Sequence, residues 1–597
     1  MGLAYVPPGV KVSEVVTPSV NPLLAVPASV CVVGRSQGFV QRTVPVALTN
    51  EDNIRLPNLP AGAKLVNPVI SVSNVNGVGT PYVETTDYVV NYSSSVNEVQ
   101  TVTVAGSSGG DFTLTFGDQT TATIAYNAAT SAVESALEAL ANVEPADVAV
   151  SGSAGAYTIT WSGQYANTNV PELVADGTGL TGVSPTVTVE TPTEGGVTGT
   201  IRREATGAIS EGETVNVVFR YIPENYYLPT RVDELSTVED LFGPAFDSDG
   251  NINSEVSFAA ACAFENGARD LVVQALFRRT TDNDPASVSL APTDAQVQDG
   301  TTWEQTLYAL RDIEDVNVIV PAVGQGFVGL TDTELYTIFT KFQDHVKFMS
   351  DQQQYVIAIY GEDSSTSSSV AQKAIIRSHV VSLRSRYGGA LDEQAVYLNT
   401  SKFVRNNPVA SQNFYVGGQY VAAGVAGMLA ARAVSASLTR QVVSGFTEVA
   451  DARSKADKNV DASYGLCVIE QRDSSNIWIR HSTTTDTTAT QRRELPVVRA
   501  KHRMIESVRD TIDNQIIGQV IADGRAPSVV SAAVTATLES LKAVGDLVDY
   551  ADVQSRTLTL DPTTVEVRYS YRPAFPLNYV NIVFSIDLTS GETTTTV

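Results

Sequence analysis

The sequence predicts a multidomain α+β protein with an α/β core, an all-β domain that carries a nested β-rich insertion, and extended terminal arms. The length of 597 residues is enough for about four domains. After residue 230, short β-branched runs alternate with amphipathic helical patterns, as in an α/β layer. Between residues 65 and 201 the chain has no Lys or Arg, so this stretch differs in composition from its surroundings.

The charge distribution reinforces that division. The basic-free stretch holds 13 acidic residues and so accounts for half of the net charge of −26, which indicates a separate, solvent-facing unit. An acidic chain argues against a nucleic-acid binder that works by neutralising phosphates. The three cysteines (Cys31, Cys262 and Cys467) lie far apart without a CxxC spacing, so neither a disulfide framework nor a structural zinc site is expected.

The first segment, residues 1–25, is predicted to be an extended arm. Its prolines disfavour a helix, and Val10, Val12 and Val15 form a short alternating run suited to a strand. Because no hairpin partner lies nearby in the sequence, such a strand would pair with another sheet or another subunit. A disordered tail is the alternative interpretation.

The next segments are the start of the core, 26–63, and an all-β domain, 64–229. Residues 29–34 predict a short buried strand stopped by a glycine. Within the all-β domain, residues 98–197 have their own core pattern and one amphipathic helix at about 131–141. We therefore expect 98–197 to be nested in a loop, because loop-closure entropy grows slowly with loop length.

Residues 230–490 are predicted to form the α/β core. The strands expected after the first one are 270–276, 316–323, 355–360, 395–399 and the pair 465–471 and 476–481. The helices expected between them are 254–267, 302–312, 332–349 and 370–386. Repeated strand–helix–strand units of this spacing indicate crossover helices over a sheet.

Residues 491–576 are predicted to form a C-terminal domain, and 577–597 a last strand with a mobile polar tail. The domain combines helices at 496–517 and 529–545 with a strand at 564–571. The first helix has Ile505, Val508, Ile512 and Ile516 on one face. The last strand is expected at 579–588.

A locally basic cluster surrounds the helix at 496–517. Its members are Arg492, Arg493, Arg499, Lys501, Arg503 and Arg509. A solvated helix face is one interpretation. The other is a contact surface for an acidic protein partner, since complementary charge steers assembly and fixes its register.

No catalytic constellation emerges from the sequence. Residues 324–329 (GQGFVG) match a dinucleotide-loop pattern, but the helix expected to follow begins only at Thr331–Asp332. The four histidines show no metal-ligand spacing. The sequence therefore predicts a structural glycine turn, with no catalytic, cofactor-binding or metal-binding residues; a nucleotide-binding α/β enzyme stays as an alternative.

No targeting or membrane signal is expected. The N-terminus lacks the basic-then-apolar pattern of a signal peptide, and the longest apolar run, 421–431, is too short to span a bilayer. These features predict a soluble protein made in a cytoplasm. They also weigh against a second alternative, a surface adhesin or receptor-binding structural protein.

Several short motifs resemble, in the same order, those of contractile tail sheath proteins of bacteriophages. Residues 8–14 (PGVKVSE) resemble the opening segment of that family, and residues 30–38 (VCVVGRSQG) its first core strand and glycine turn. Residues 264–267 (FENG) resemble a family helix end, although Ala268 replaces its second glycine.

The resemblance continues through the C-terminal half. Residues 464–486, including IWIRHSTTTD, resemble the family region that ends in paired threonines, and residues 499–586 resemble its closing domain. In all, the resemblance covers roughly 1–60 and 230–597. Residues 102–173 separately resemble an accessory β-domain of actinobacteriophage structural proteins, which implies a decoration that protrudes from the virion exterior.

The resemblance implies a mechanical function. Subunits would form a helical homo-oligomer, with stacked hexameric rings, around a tail tube protein and between baseplate and tail terminator proteins. The sheath would contract from a metastable extended state, drive the tube through the host envelope and permit genome ejection. The location would be the virion tail, assembled in the host cytoplasm, with no enzyme activity, no cofactor, no direct nucleic-acid contact and no membrane insertion.

The resemblance also assigns residues to inter-subunit contacts. It implies strand-exchange arms at both termini, because added strands keep their ladder bonds while globular parts repack. The arm residues are Val10, Val12, Val15, Tyr579, Val580, Ile582, Phe584 and Ile586. The tube-facing basic candidates are Arg499, Lys501, Arg503 and Arg509.

Overall fold

The computed structural model describes most of the chain. The described residues are 29–49, 54–59, 63–66, 68–76, 79–92, 97–166, 170–193, 199–223, 226–279, 288–289, 292–313, 315–324, 329–363, 369–451, 453–518, 524–559, 564–578, 583–586 and 593–596. Two compact units divide the chain: Phe39–Tyr226 forms one, and the residues before and after it form the other. No helix among the described residues is both long and apolar enough to cross a membrane.

A six-stranded sheet lies at the centre of the larger unit. Its strands, in spatial order, are Thr230–Val232, Leu271–Ala275, Val30–Gly34, Val318–Ala322, Ile357–Tyr360 and Ala395–Tyr397. Only the first of these runs antiparallel to its neighbour. The inner strands are buried along their whole length, as in parallel sheets covered on both faces.

Helices connect and cover these strands. Their bounds are Leu235–Phe242, Glu255–Glu265, Asp294–Gln298, Gly300–Tyr308, Asp332–Asp351, Ser369–Arg386, Gly418–Ala430, Lys455–Ser463 and Thr490–Arg493, with a 3-10 turn at Asp392–Gln394. Thr331 and Glu334 form a capping box at the start of Asp332–Asp351, which confirms the predicted start of that helix. Trp303, Phe339 and Tyr360 are among the buried side chains that join these helices to the sheet.

Smaller sheets complete the larger unit. Strand Phe403–Asn406 pairs with Asn413–Val416 and Glu448–Val449, and strand Ile477–Ile479 pairs with Ile469–Gln471 and Val442–Val443. The remaining two-stranded pairs are Arg278–Arg279 with Val288–Ser289, Leu547–Thr557 with Val565–Pro573, and Val583–Ile586 with Thr593–Thr596. Helices Leu495–Gln515 and Ala526–Ala543 precede the second of these pairs.

The smaller unit contains two separate sets of strands. The first set forms two small sheets: Val40–Leu48, Lys64–Leu65, Ser71–Asn74 and Glu213–Ile222; and Ile54–Arg55, Tyr88–Asn91 and Thr200–Arg203. One hydrophobic cluster joins these strands, and all its members lie in residues 40–92 or 201–221.

The second set of strands surrounds the long strand Val99–Phe116. The others are Gln119–Thr120, Ile124–Ala125, Val148–Ser153, Ala156–Trp161, Val174–Asp176 and Leu180–Thr193. Helix Thr130–Glu138 and a 3-10 turn at Gly163–Tyr165 accompany them. Their hydrophobic cluster draws its members from residues 102–189, with Phe116 stacked on Trp161 at 4.1 Å between ring centroids.

The sequence analysis located most of the core elements but missed several. Helices Gly418–Ala430 and Lys455–Ser463 and strand Leu547–Thr557 were not predicted. The first of these helices is buried on every side, so its sequence has no polar face for a periodicity argument to find. The expectation of a mobile tail is corrected at Thr593–Thr596, which forms a strand.

Candidate assembly surfaces of the C-terminal region

A helix pair and a hairpin form the C-terminal part of the larger unit. Each helix has a proline in its first turn. Proline is tolerated there because the N–H groups of the first turn have no acceptor within the helix. Leu538, Leu541 and Met504 lie in the core between them. Partly buried residues of both hairpin strands pack on this core, and so do Ile505, Val508 and Ile512, which confirms the predicted apolar helix face.

The hairpin sheet has two open edges in the described part of the chain. Strands Leu547–Thr557 and Val565–Pro573 pair only with each other there. An isolated two-stranded sheet is marginally stable, and unpaired edge N–H and C=O groups accept an added strand. The geometry is therefore suited to strand addition.

Several large apolar side chains of the C-terminal region are exposed. Ile517, Val544, Val548, Phe575 and Leu577 all lie on the surface of the chain, and Leu577 is 83% exposed. Single exposed apolar residues are normal in a soluble protein. These five all lie between residues 517 and 577, the part of the chain that also contains the hairpin.

The arm residues lie mostly outside the described residues. Val10, Val12, Val15, Tyr579, Val580 and Ile582 are in that group. Phe584 and Ile586 belong to strand Val583–Ile586, which pairs with Thr593–Thr596 of the same chain. The assignment of both arms to neighbouring subunits stays a prediction.

The prediction that Arg499 faces the tube is wrong for this structure, because its side chain is buried within the chain. Arg499 is only 4% exposed and donates a hydrogen bond of 2.8 Å from Nη2 to the carbonyl oxygen of Leu429. Burial lowers the pKa of this guanidinium to about 10, while the nearby Asp546 carboxylate opposes that shift. The helix start is buried all round, so charged residues of its first turns are enclosed.

The other three basic candidates are held by contacts within the chain. Lys501 forms an ion pair with Glu393 at 2.6 Å, and Arg503 forms one with Asp546 at 2.7 Å. Arg509 donates to the carbonyl oxygen of Gln353 at 2.8 Å. All three are partly exposed, and their role in contacting a tube stays a prediction.

Glu506 attaches the same helix to the amino-terminal edge of the central sheet. Its carboxylate accepts hydrogen bonds from the Tyr355 backbone N–H at 3.1 Å and from Asn317 Nδ2 at 3.2 Å. Burial raises the pKa of Glu506 to about 7, although these two donors act against the shift. His502 stacks on Tyr355 beside it, and burial lowers the pKa of this imidazole.

The glycine motif at 324–329 is described only at its ends, since residues 325–328 lie outside the described part. The Gly324 N–H donates to the buried Glu255 Oε1 at 2.9 Å. Burial raises the pKa of Glu255 to about 8, and the Asp363 carboxylate contributes to the shift. The Gly324 N–H is therefore already bonded to an acidic side chain and is not available to a phosphate oxygen.

Sequence reasoning missed an arginine-lined cavity. Arg440, Arg472, Arg480 and Arg493 surround a space of about 400 Å³ together with residues of helix Lys455–Ser463. Only Arg493 belonged to the predicted basic cluster. The other three come from separate loops and strand ends, so the sequence contains no local run of basic residues that would predict the cavity.

The comparison with curated proteins covers almost the whole chain. The sequence is 26% identical over 648 aligned residues to the tail sheath protein of Mycobacterium phage Bxz1, with 99% of this chain and 98% of that protein covered. This chain is therefore similar over almost its whole length to a phage tail sheath protein. No protein-family model matches this chain.

Solved structures with a similar fold include two sheath proteins. The anti-feeding prophage helical sheath in its contracted state matches with a TM-score of 0.44 and 12% identity, over 61% of this chain and 90% of that one. The sheath tail protein of Listeria innocua matches with a TM-score of 0.41 and 13% identity, over 58% and 88%.

Proposed function

We propose that this chain is the sheath subunit of a contractile phage tail. It polymerises around an inner tube in an extended, metastable state and contracts to drive that tube through the host envelope. The observation that carries this proposal is the match to a tail sheath protein over 99% of the chain. The work comes from repacking of subunits, so no bound nucleotide or other cofactor is needed.

Assembly proceeds by strand addition at the C-terminal hairpin. The strands Leu547–Thr557 and Val565–Pro573 pair only with each other in the described part of the chain, and their open edges receive residues 1–25 and 577–597 of neighbouring copies. The exposed apolar residues next to the hairpin, including Phe575 and Leu577, are then covered. Added strands supply main-chain hydrogen bonds that persist while the globular parts rotate between two packings.

The nested β-rich segment 98–197 is a decoration that faces outward. It has its own hydrophobic cluster, and the cluster of the flanking strands contains none of its residues. The basic-free stretch 65–201, which contains this segment, holds 13 acidic residues, and that charge suits a solvated exterior. We assign 26–63 and 230–490 to the sheath core, 64–229 to the protruding domain and 491–576 to the inner C-terminal domain.

The proposed partners follow from the sheath role. Copies of the chain form stacked hexameric rings around a tail tube protein, between a baseplate and a tail terminator protein. Assembly takes place in the host cytoplasm, and the mature location is the virion tail. Lys501, Arg503 and Arg509 remain the proposed tube-facing groups, since each is partly exposed.

Electron microscopy of the purified full-length chain tests the proposal. We expect striated tubes or stacked rings in negative stain. A variant that lacks residues 1–20 should give a folded monomer with an unchanged circular dichroism spectrum and no tubes. Tubes formed by the truncated variant would rule out the N-terminal arm. A wild-type chain that stays monomeric at every concentration and salt condition would argue against the sheath role itself.

A further inference from the structure

The cavity lined by arginines is an unusual feature of a chain with net charge −26. Arg440, Arg472, Arg480 and Arg493 line it, and none of its lining residues in the described part is Asp or Glu. Arg480 and Arg493 are partly buried and Arg440 and Arg472 are exposed, so the wall of the cavity carries four like charges, which favour a bound anion. A space of about 400 Å³ is large enough for one or two extended amino-acid side chains with their backbone.

Three of these arginines have no anionic partner in the described part of the chain. Neither Arg440 nor Arg493 has an ion pair, and Arg480 is held only by Asn459 Oδ1 at 2.7 Å from its Nη2. The Nη1 of Arg480 is buried without a hydrogen-bond acceptor. A buried donor without an acceptor costs free energy that a bound anion would recover.

Arg440 is also held in an unfavourable backbone conformation. Its φ is +63°, in the left-handed region that favours glycine. Its N–H donates to the Ile479 carbonyl oxygen at 2.7 Å, which fixes the chain at the cavity wall. A residue with a Cβ is uncommon in this conformation, so Arg440 carries its guanidinium at some cost in backbone energy.

Arg472 is the only one of the four arginines with a carboxylate contact among the described residues. It forms an ion pair with Glu470 at 2.7 Å, and Glu470 is shared with Lys458 at 3.5 Å. His481, at the same cavity, contacts Glu494 at 3.0 Å. Neither Glu470 nor Glu494 is among the described residues that line the cavity.

We propose that this cavity binds a carboxylate-bearing segment of a second copy of the chain. Guanidinium forks pair with carboxylates in a bidentate geometry, so the cavity recognises Asp or Glu side chains of an extended segment. Each copy presents 65 acidic residues against 39 basic ones, so copies that assemble bring many carboxylates to every basic cavity. The second-copy source rests on the proposed sheath function, whereas the carboxylate chemistry rests on the cavity alone.

A direct binding measurement tests the carboxylate chemistry. We expect fluorescently labelled hexa-L-glutamate to bind the full-length protein, with an affinity that falls as NaCl rises from 50 to 300 mM. The double variant Arg440→Gln/Arg493→Gln should weaken binding by about tenfold or more. The matched control Lys341→Gln/Lys347→Gln, which also removes two charges, should bind as the wild type does. Equal binding by all three proteins would overturn the proposal.

The single variant Arg440→Gly separates a binding role from a structural one. Glycine relieves the positive φ, so the Tm should rise while hexaglutamate binding falls. A lowered Tm would mean that the arginine serves the fold and would count against the proposal.

Assembly assays identify the source of the carboxylates. If a second copy fills the cavity, the Gln double variant should need a higher protein concentration to form tubes, and excess hexaglutamate should inhibit assembly of the wild type. Normal tube formation by the variant would exclude the second copy while leaving the sheath role intact. Hexaglutamate binding by a wild type that never assembles would support the site and remove the proposed function.

Discussion

A single buried carboxylate, Asp461, joins three parts of the core. It accepts hydrogen bonds from Arg377 at 2.6 and 2.8 Å and from Asn399 at 3.2 Å, and lies 3.5 Å from Arg453. The carboxylate is fully buried. Removing Asp461 would leave two guanidinium groups, one of them buried, without their shared partner. The free-energy cost of an uncompensated buried charge exceeds the loss of the attraction itself.

We therefore expect Asp461→Ala to lower the free energy of unfolding by about 3–5 kcal/mol. Thermal unfolding followed by circular dichroism measures this loss. The control is Asp351→Ala, which removes the exposed contact with Lys347 on one helix and should cost less than about 1 kcal/mol. Equal effects of the two substitutions would contradict the role of Asp461 as a shared partner.

Glu506, which attaches the helix Leu495–Gln515 to the central sheet, makes the stability of the fold depend on pH. Its pKa of about 7 in the folded chain lies above the ordinary value of about 4.3, so the folded state binds the proton more tightly. Protonation therefore stabilises the fold, and this contribution is lost as the pH rises through 7. Arg509 and the donors from Tyr355 and Asn317 reduce the shift without cancelling it.

The variant Glu506→Gln should lose this pH dependence. The wild type should become less stable relative to the variant between pH 5 and 8, by at most about 3 kcal/mol. Chemical unfolding at a series of pH values measures the difference. Curves that stay parallel over this range would show that Glu506 titrates as it does in the unfolded chain.

At the residue scale, the burial and the partners of charged side chains could not be predicted from the sequence. The apolar face with Ile505, Val508 and Ile512 follows from spacing alone, and the structure confirms it. The burial of Arg499 does not follow, because its cost is offset by the distant Leu429 carbonyl and by Asp546. Sequence spacing contains no information about such long-range partners.

At the element scale, close backbone approach explains the unpredicted helix Gly418–Ala430. It packs on helix Glu255–Glu265, and both lie against the central sheet. A Cβ at Gly427 would overlap the Ala263 carbonyl group, whereas a Cβ at Gly424 would meet only side chains at 3.0 Å. Glycine lowers helix propensity, so the feature that permits the packing hides the helix from propensity rules.

The two glycines therefore form a matched pair for mutation. Gly427→Ala should destabilise the chain by about 1–3 kcal/mol, because backbone atoms cannot move aside easily. Gly424→Ala should cost less, since Asn266 and Val443 side chains can shift. Thermal unfolding of both variants gives the comparison, and a larger loss at Gly424 would contradict the proposed packing limit.

The C-terminal hairpin connects local structure to assembly. Removing residues 577–597 should leave the helix pair and hairpin folded, because their core draws on residues 504–571. We expect this truncated chain to stay monomeric under conditions in which the wild type forms tubes, as measured by sedimentation velocity. Tubes of normal length would mean that the C-terminal segment does not supply an added strand.

At the scale of the whole molecule, composition was the most informative signal. The basic-free stretch 65–201 falls within the unit Phe39–Tyr226, and the strand–helix alternation after residue 230 falls within the other. Local patterns therefore indicated the core sheet and its order of elements. The arginine cavity was not predicted, because only tertiary folding brings residues 440, 472, 480 and 493 together.

The nested segment offers the sharpest test of this organisation. Its first and last strands pair with each other, with Val99 opposite Thr193, so its two ends lie side by side. The flanking strands do the same, with Asn91 opposite Thr200. Replacing residues 98–197 by a short Gly–Ser linker therefore requires no rearrangement of the flanking strands, because adjacent antiparallel strands are about 5 Å apart.

We expect the chain without residues 98–197 to fold and to assemble as the wild type does. The excised segment, expressed alone, should also fold, because Phe116, Trp161 and the rest of its cluster come from within it. Near-ultraviolet circular dichroism of Trp161 measures the second outcome, and electron microscopy the first. A host chain that aggregates while the isolated segment stays unfolded would show that the two sets of strands form one cooperative core, because each would then need the other to bury its apolar surface.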